Sequence, residues 1–432
     1  MKNLSSLLHI ILLASIILPS RCGQSTCDSD SACSEKFNDQ YFCDKNLGTC
    51  RRKLLVYSLN PRVLLGLLSL FAVNVFTVSA GVSGSGLLYA LIVFLFNFTD
   101  KDAIPLYKIS NFFGSAISVG FIFTRRRKDD KNSIYLDWNI LSFSLPAAFA
   151  GSIAGVFLAD VLPGLVLSLL VIGSLVHVAK QSVTNLQEAA AQRIRAQAPA
   201  YDALPKFLRL RDYGEPKPLA DILFSNFIQI VVVCVAFEIT NLALYDNGST
   251  KLGRMLGVPD CSFFAFILFL MMIGSCAFAS LLMYPRVLES LGPEKTARIG
   301  LGSFFSGIIT TVGISGSVFF SSLLLSTGIE PMVVVSVSGL NLFLTSFATV
   351  AQFDYLGHLD VPNAWVIAIV SLLGSLVGNF FIKKHLSKDK TKRVIPEILL
   401  IVTLVTLIVM PVISWYEYLN NNNYTKFNQV CK

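Results

Sequence analysis

Ser79-Ala80-Gly81-Val82-Ser83-Gly84-Ser85-Gly86 is an uncharged run of small residues set inside a long apolar segment. Thr310-Thr311-Val312-Gly313-Ile314-Ser315-Gly316-Ser317 repeats its Gly-x-Ser-Gly-Ser core in the second half of the chain. Glycine and serine in such a run interrupt a helix. In hydrocarbon an interruption is tolerated only where protein or a watery cavity receives the freed backbone groups. Two interruptions at corresponding places are the pattern of a transporter built from two related halves.

Composition sets the environment. The 432 residues are 53% hydrophobic and only 14% charged, against roughly 25% charged in soluble domains, and the mean hydropathy is +0.63. The chain reads as an all-α polytopic membrane protein. Its formal charge of +8 sits mostly in short clusters between apolar runs, the placement expected of cytoplasmic loops. Nucleic-acid binding is therefore excluded as a function class.

Apolar runs of about spanning length cover 62–80, 103–124, 139–159, 163–180, 222–243, 261–284, 331–350, 363–382 and 394–413. Residues 87–98 and 317–327 are too short to cross, so each interrupted unit goes in and comes back. Counting from outside, this bookkeeping puts the basic residues Arg125, Arg126, Arg127 and Lys128 in the cytosol, with Lys383, Lys384 and the 181–221 loop. Lumenal or extracellular sites receive both termini and the glycosylation acceptors Asn97, Asn247 and Asn423. The organisation expected is a signal peptide at 1–22, a Cys-rich segment at 23–60, a first transmembrane repeat at 61–180 and a cytosolic linker at 181–221. An inserted pair at 222–284, a second repeat at 285–413 and an external tail at 414–432 complete it. Cys27, Cys33, Cys43 and Cys50, in a secretory context, predict two disulfides with three possible pairings. The fold class is thus two inverted-topology repeats with re-entrant helices and a small disulfide-rich N-terminal ectodomain.

Further correspondences support duplication. Asn111 matches Asn341, and Gly151-Ser152-Ile153-Ala154-Gly155 matches Gly374-Ser375-Leu376-Val377-Gly378. A helix starting after a Gly/Ser break offers free N–H groups and a positive dipole end, which suits an anion. The predicted substrate site is accordingly Ser83, Gly84, Ser85, Asn111, Ser315, Gly316, Ser317 and Asn341. Lys108 joins it, because an ionisable group inside a span usually faces a pathway, although a lysine near a helix end can also snorkel. Its counterpart in the second half is Ser338. Glu238 is a candidate proton carrier, and His177 is expected near a helix end, in contact with the dipole. Cys276 reads as a core residue. Walker A, zincin and nucleophile-elbow motifs are missing from the sequence, so no enzyme and no cofactor is expected.

These small-residue breaks, the 100–103 loop, Leu136-Asp137-Trp138 and the two Gly-rich spans resemble the TauE/SafE family of anion exporters, over roughly residues 64–411 and especially in its larger eukaryotic members. That resemblance implies export of sulfite, sulfonates or related sulfur-containing organic anions by alternating access, with a proton or sodium ion as a possible coupling partner. It also implies a lysine in the 104–111 stretch, where Lys108 lies. Expected partners are the lipid bilayer and a small anion. The competing reading is a membrane receptor or scaffold whose Cys-rich ectodomain binds a partner.

Overall fold

The computed structural model describes residues 41–44, 49–52, 55, 60–78, 81–82, 84–98, 100–124, 135–196, 263–311, 316–355, 359–385 and 388–420. Among them are eleven helices. The first five are α1 (Pro61–Thr77), α2 (Ser85–Phe94), α3 (Asp100–Thr124), α4 (Trp138–Val161) and α5 (Gly164–Ala196). The sixth, α6, is Phe263–Leu291. The last five are α7 (Pro293–Thr311), α8 (Gly316–Ser326), α9 (Pro331–Tyr355), α10 (Val361–His385) and α11 (Lys388–Asn420). Ahead of them, β1 (Tyr41–Asp44) and β2 (Thr49–Arg52) form an antiparallel hairpin in which Cys43 lies opposite Cys50.

The five helices before α6 and the five after it run in the same order of lengths, 17, 10, 25, 24 and 33 residues against 19, 11, 25, 25 and 33. At 1.5 Å per residue a helix of ten residues rises about 15 Å, half of a hydrocarbon core. Both short helices therefore turn back. The Arg62 guanidinium donates to the Phe94 carbonyl, which ties the start of α1 to the end of α2. Lys295 Nζ donates to the Thr327 carbonyl at 2.8 Å, tying the start of α7 to the end of α8.

The two hairpins come in from opposite ends of the bundle. At one end Leu55 N–H donates to Asn363 Oδ1 at 2.8 Å, so the chain ahead of α1 meets the start of α10, and the two helices then run side by side. At the other end α4 and α7 start together: Gly300 of α7 lies under the Phe143 ring of α4. The long α3 connects the two ends, its Phe123 ring 6.5 Å from Trp138 at the start of α4.

Among the described residues three helical stretches are long and apolar enough to cross a membrane, Asp102–Thr124, Pro331–Ala351 and Val361–Phe380. Large apolar side chains point outward from the flanking helices, among them Leu68, Leu170, Leu281, Ile369 and Ile408. Water would strip such a surface; lipid covers it. The protein is an integral membrane protein.

Glycines set how closely the halves approach. A Cβ built on Gly151 would strike the Phe304 carbonyl of α7, and one on Gly155 the Thr311 hydroxyl and Ile308 carbonyl. In the same manner a Cβ on Gly374 would meet the Phe71 carbonyl of α1 at 2.7 Å, and one on Gly378 the Val75 carbonyl. The matched Gly-rich spans are thus packing surfaces, each seated on the first helix of the other half.

Two expectations need correction. α5 runs on to Ala196, so His177 sits in mid-helix, with its ring 6.2 Å from Phe319 of α8. The cause is the helix-favouring stretch around residues 187–193, which prolongs α5 past the apolar run. The 100–103 stretch is the first turn of α3, not a loop. Cys276 is buried in the core, as expected. Glu238, the 1–22 signal, Cys27, Cys33, Asn247, Asn423 and the 222–243 span lie outside the described residues.

Candidate functional site

Gly81 closes the first break. Its φ of +71° is a left-handed conformation that glycine adopts without strain. A Cβ there would also meet the Val335 carbonyl oxygen of α9 at 2.6 Å. The α1 helix ends in a tight turn, with Gly81 N–H on the Val78 carbonyl at 3.0 Å and Val82 N–H on the Thr77 carbonyl at 3.1 Å. The chain then restarts as α2 at Ser85, whose N-cap Gly84 supplies no side-chain hydrogen bond.

The second break falls between the end of α7 at Thr311 and the start of α8 at Gly316. Here Ser306 Oγ donates to the Gly316 carbonyl at 2.7 Å, folding α8 back along α7. Gly316 has no room for a side chain, since a Cβ would collide with the Thr310 hydroxyl and the Ser306 carbonyl. Ser83 and Ser315, at the tips of the two breaks, lie outside the described residues.

The long helices α3 and α9 pack against each other, with the rings of Phe112 and Phe343 stacked 5.1 Å apart. Each of them sends polar groups into the breaks. From α3, the Asn111 amide donates to Ser85 Oγ at 3.0 Å, holding the first residue of α2. One turn earlier, Tyr107 O–H and Lys108 Nζ both donate to the Thr310 carbonyl, the tyrosine at 3.0 Å. From α9, Ser338 Oγ donates to the Gly81 carbonyl at 2.9 Å. Each central helix therefore caps the carbonyl end of the broken helix in the opposite half, Lys108 doing so with an ammonium and Ser338 with a hydroxyl.

Lys108 does not snorkel. It is 0% exposed, with its nitrogen 5.2 Å from the centre of the Tyr107 ring. A lysine carries three donors, of which one is accounted for by Thr310, and among the described residues no carboxylate pairs with it. The negative end of the α7 dipole and the tyrosine ring give partial compensation. A buried cation left without an anion is costly.

The other sequence-predicted residues fall as follows. Gly84, Ser85, Gly316 and Ser317 form the starts of α2 and α8, and Ser85 and Ser317 are buried. Asn111 and Asn341 are 0% and 4% exposed, and each keeps a side-chain carbonyl oxygen with no donor among the described residues. Tyr107 and Thr310 were not singled out from the sequence. The signal for Thr310 is its place at the edge of the second break; a tyrosine in an apolar helix carries none. Among the described residues no group of three or more His, Cys, Asp or Glu is placed to hold a metal ion.

Residues 252–410 match the family model described as Sulfite exporter TauE/SafE. A curated relative, the Sulfite exporter TauE/SafE family protein 5 of Arabidopsis thaliana, is 26% identical over 98 residues. That match covers 22% of this chain and 22% of the relative, so the chain spans about a fifth of the length of the curated protein it matches. No solved structure matches the chain. The family match thus runs from the inserted segment into α11, and over those residues the chain is similar to the sulfite exporter TauE/SafE family.

Proposed function

We propose that this protein is a secondary transporter that exports small anions, with sulfite, sulfonates and related sulfur-containing organic anions as the substrate class. The observation that carries the reading is Lys108: a fully buried lysine side chain, set at a helix break, with no acidic partner among the described residues. An anion held between Lys108 and the N-terminal ends of α2 and α8 satisfies the charge and meets the positive ends of the two helix dipoles. Ser85, Ser317, Gly84 and Gly316 would form its walls, with Ser83 and Ser315 at the tips of the breaks.

The two halves act as inverted repeats in this reading. Supporting it are the matched helix lengths, the opposite directions of the two hairpins and the exchange of Gly-rich spans between halves. Alternating access then consists of one half rocking against the other about a site near the membrane midplane. The same proposal keeps the termini and the Cys-rich segment outside the cytosol, with Asn97, Asn247 and Asn423 as glycosylation acceptors.

Flux in proteoliposomes tests the assignment. Wild-type protein should move radiolabelled sulfite or a sulfonate across the bilayer. Lys108→Ala should lower the rate at least about tenfold, the equivalent of 1.4 kcal/mol, and Ser317→Ala should lower it less. Unchanged transport of every sulfur oxyanion tried in both variants would remove the site.

A further inference from the structure

The ammonium of Lys108 fills one of two equivalent positions, and we infer that the other is an alkali-metal cation site formed by the Gly81 carbonyl, Ser338 Oγ and Asn341 Oδ1. This assignment rests on the reading of the two halves as related repeats.

In the half that ends at the second break, the last carbonyls of the broken helix α7 meet a positive charge, since Lys108 Nζ donates to the Thr310 carbonyl. The corresponding end of α1 presents the Val78 carbonyl at the negative end of its dipole, and the turn that follows adds the Gly81 carbonyl beside it. What reaches it from α9 is neutral. Ser338 Oγ lies 2.9 Å from the Gly81 carbonyl, and Ser118 Oγ of α3 lies 3.1 Å from the Val78 carbonyl.

Three features make this end a cation position and not merely a hydroxyl-capped one. First, Ser338 has another acceptor for its proton, the Val334 carbonyl at 2.7 Å. With the proton there, the Ser338 lone pairs and the Gly81 carbonyl oxygen, 2.9 Å apart, are both left to act as ligands. Second, Asn341 lies three positions further along α9, on the same helical face as Ser338. Its Oδ1 is buried and has no donor among the described residues. An orphan acceptor is suited to a cation and not to an anion. Third, Gly81 is held at positive φ with α9 pressed against it, which fixes where its carbonyl points.

The ligands named are neutral oxygens, the hard donors that alkali and alkaline-earth ions prefer. A divalent ion at this depth would require carboxylates, which the set lacks. A single positive charge is what the site can hold, and it is also what Lys108 supplies on the other side. Unwound backbone and half-helix carbonyl ends are the usual places for coupling ions in such folds. In this protein one half would carry its cation covalently and the other would borrow it from solution, so that ion and anion binding support each other.

The test uses full-length protein in detergent, with thermal unfolding measured in sodium, potassium and choline chloride. Because chloride is common to all three, the comparison reports the cation alone. A saturable rise in Tm in sodium or potassium over choline is expected, from preferential binding to the native state. Asn341→Leu should raise the half-saturating ion concentration at least about tenfold, and Ser338→Thr, which keeps the hydroxyl, should leave it near the wild-type value. Ser338→Lys should raise Tm in choline and abolish the alkali response by installing a tethered ammonium. Equal Tm in all three salts for the wild type would overturn the site, as would an intact alkali response in Ser338→Lys. The anion reading is scored separately, by comparing choline sulfite with choline chloride. A cation response without a sulfite response leaves the cation site standing and removes the substrate assignment.

Discussion

The seam where α1 meets α3 and α10 is polar, and the seam where α7 meets α9 and α4 is not, although the same helices of each half build them. In the first, Asn74 Nδ2 donates to the Leu70 carbonyl, to Ser110 Oγ and to Ser371 Oγ, and the two serines lie 2.7 Å apart. Further along, Ser375 Oγ donates to the Gly114 carbonyl and Asn379 Nδ2 to Ser118 Oγ. At the matching places in the second seam stand Gly307, Leu340, Ala148, Leu344 and Ala348, buried or packed in an apolar cluster, and Ser152, the buried counterpart of Ser375, whose hydroxyl has no hydrogen-bond partner among the described residues. One geometry has been reached by two chemistries. In lipid, where apolar burial gives helices little reason to associate, close contact and interhelical hydrogen bonds are the two means available.

The difference can be broken from either side, and the tight seam should break hardest. A Cβ on Gly307 would strike the Ala148 carbonyl and come within 2.7 Å of Ser152 N, so the obstacle is backbone, which cannot rotate away. Gly307→Val should cost at least about 3 kcal/mol, at the upper end of overpacking. The loss should appear as a collapse of monodisperse protein in size-exclusion chromatography. Normal yield and Tm would mean that α4 and α7 do not touch as described.

The polar seam should yield more gently. Asn74→Leu removes three donations, but Ser110 and Ser371 keep each other, and the substitution also deletes an Oδ1 that has no partner among the described residues. With interhelical hydrogen bonds in membranes averaging about 0.6 kcal/mol, the expected loss is about 1 kcal/mol, read from unfolding in detergent. A loss as large as that of Gly307→Val would show that the two seams are held in the same way.

Much of this was legible in the chain, and the rest was invisible for a physical reason. Small residues at Gly81, Gly313, Gly151 and Gly374 announce breaks and close approaches, because few other residues tolerate those contacts. Pro293 and Pro331 mark helix starts that need no donor. What the sequence does not show is partnership across the halves. Lys108 reads as a charge facing a pathway or a membrane surface; its acceptor is a backbone carbonyl 202 positions away, and a carbonyl has no sequence signature. For the same reason Ser338 looks like an ordinary small residue until Gly81 is seen beside it. His177 was misplaced because hydropathy marks where a span ends, not where its helix does.

The mildest change separates hydrogen bonding from packing within the polar seam. Ser371 Oγ is shared between Ser110, Asn74 and its own Ile367 carbonyl, the last at 2.7 Å. Ser371→Ala deletes that oxygen and leaves Asn74 with Leu70 and Ser110, so the amide keeps its acceptors, Ser110 Oγ loses one partner, and the space lost is a single hydroxyl. The counterpart in the apolar seam is already alanine, Ala148, and it packs there without penalty. Stability should therefore fall by only about 0.5 kcal/mol. If transport falls severalfold while Tm holds, the polar seam serves movement of α10 against α1 and not cohesion, and the asymmetry between the halves is functional. If Tm and transport both stay at wild-type values, the hydroxyl ladder is a packing solution equivalent to the glycine one.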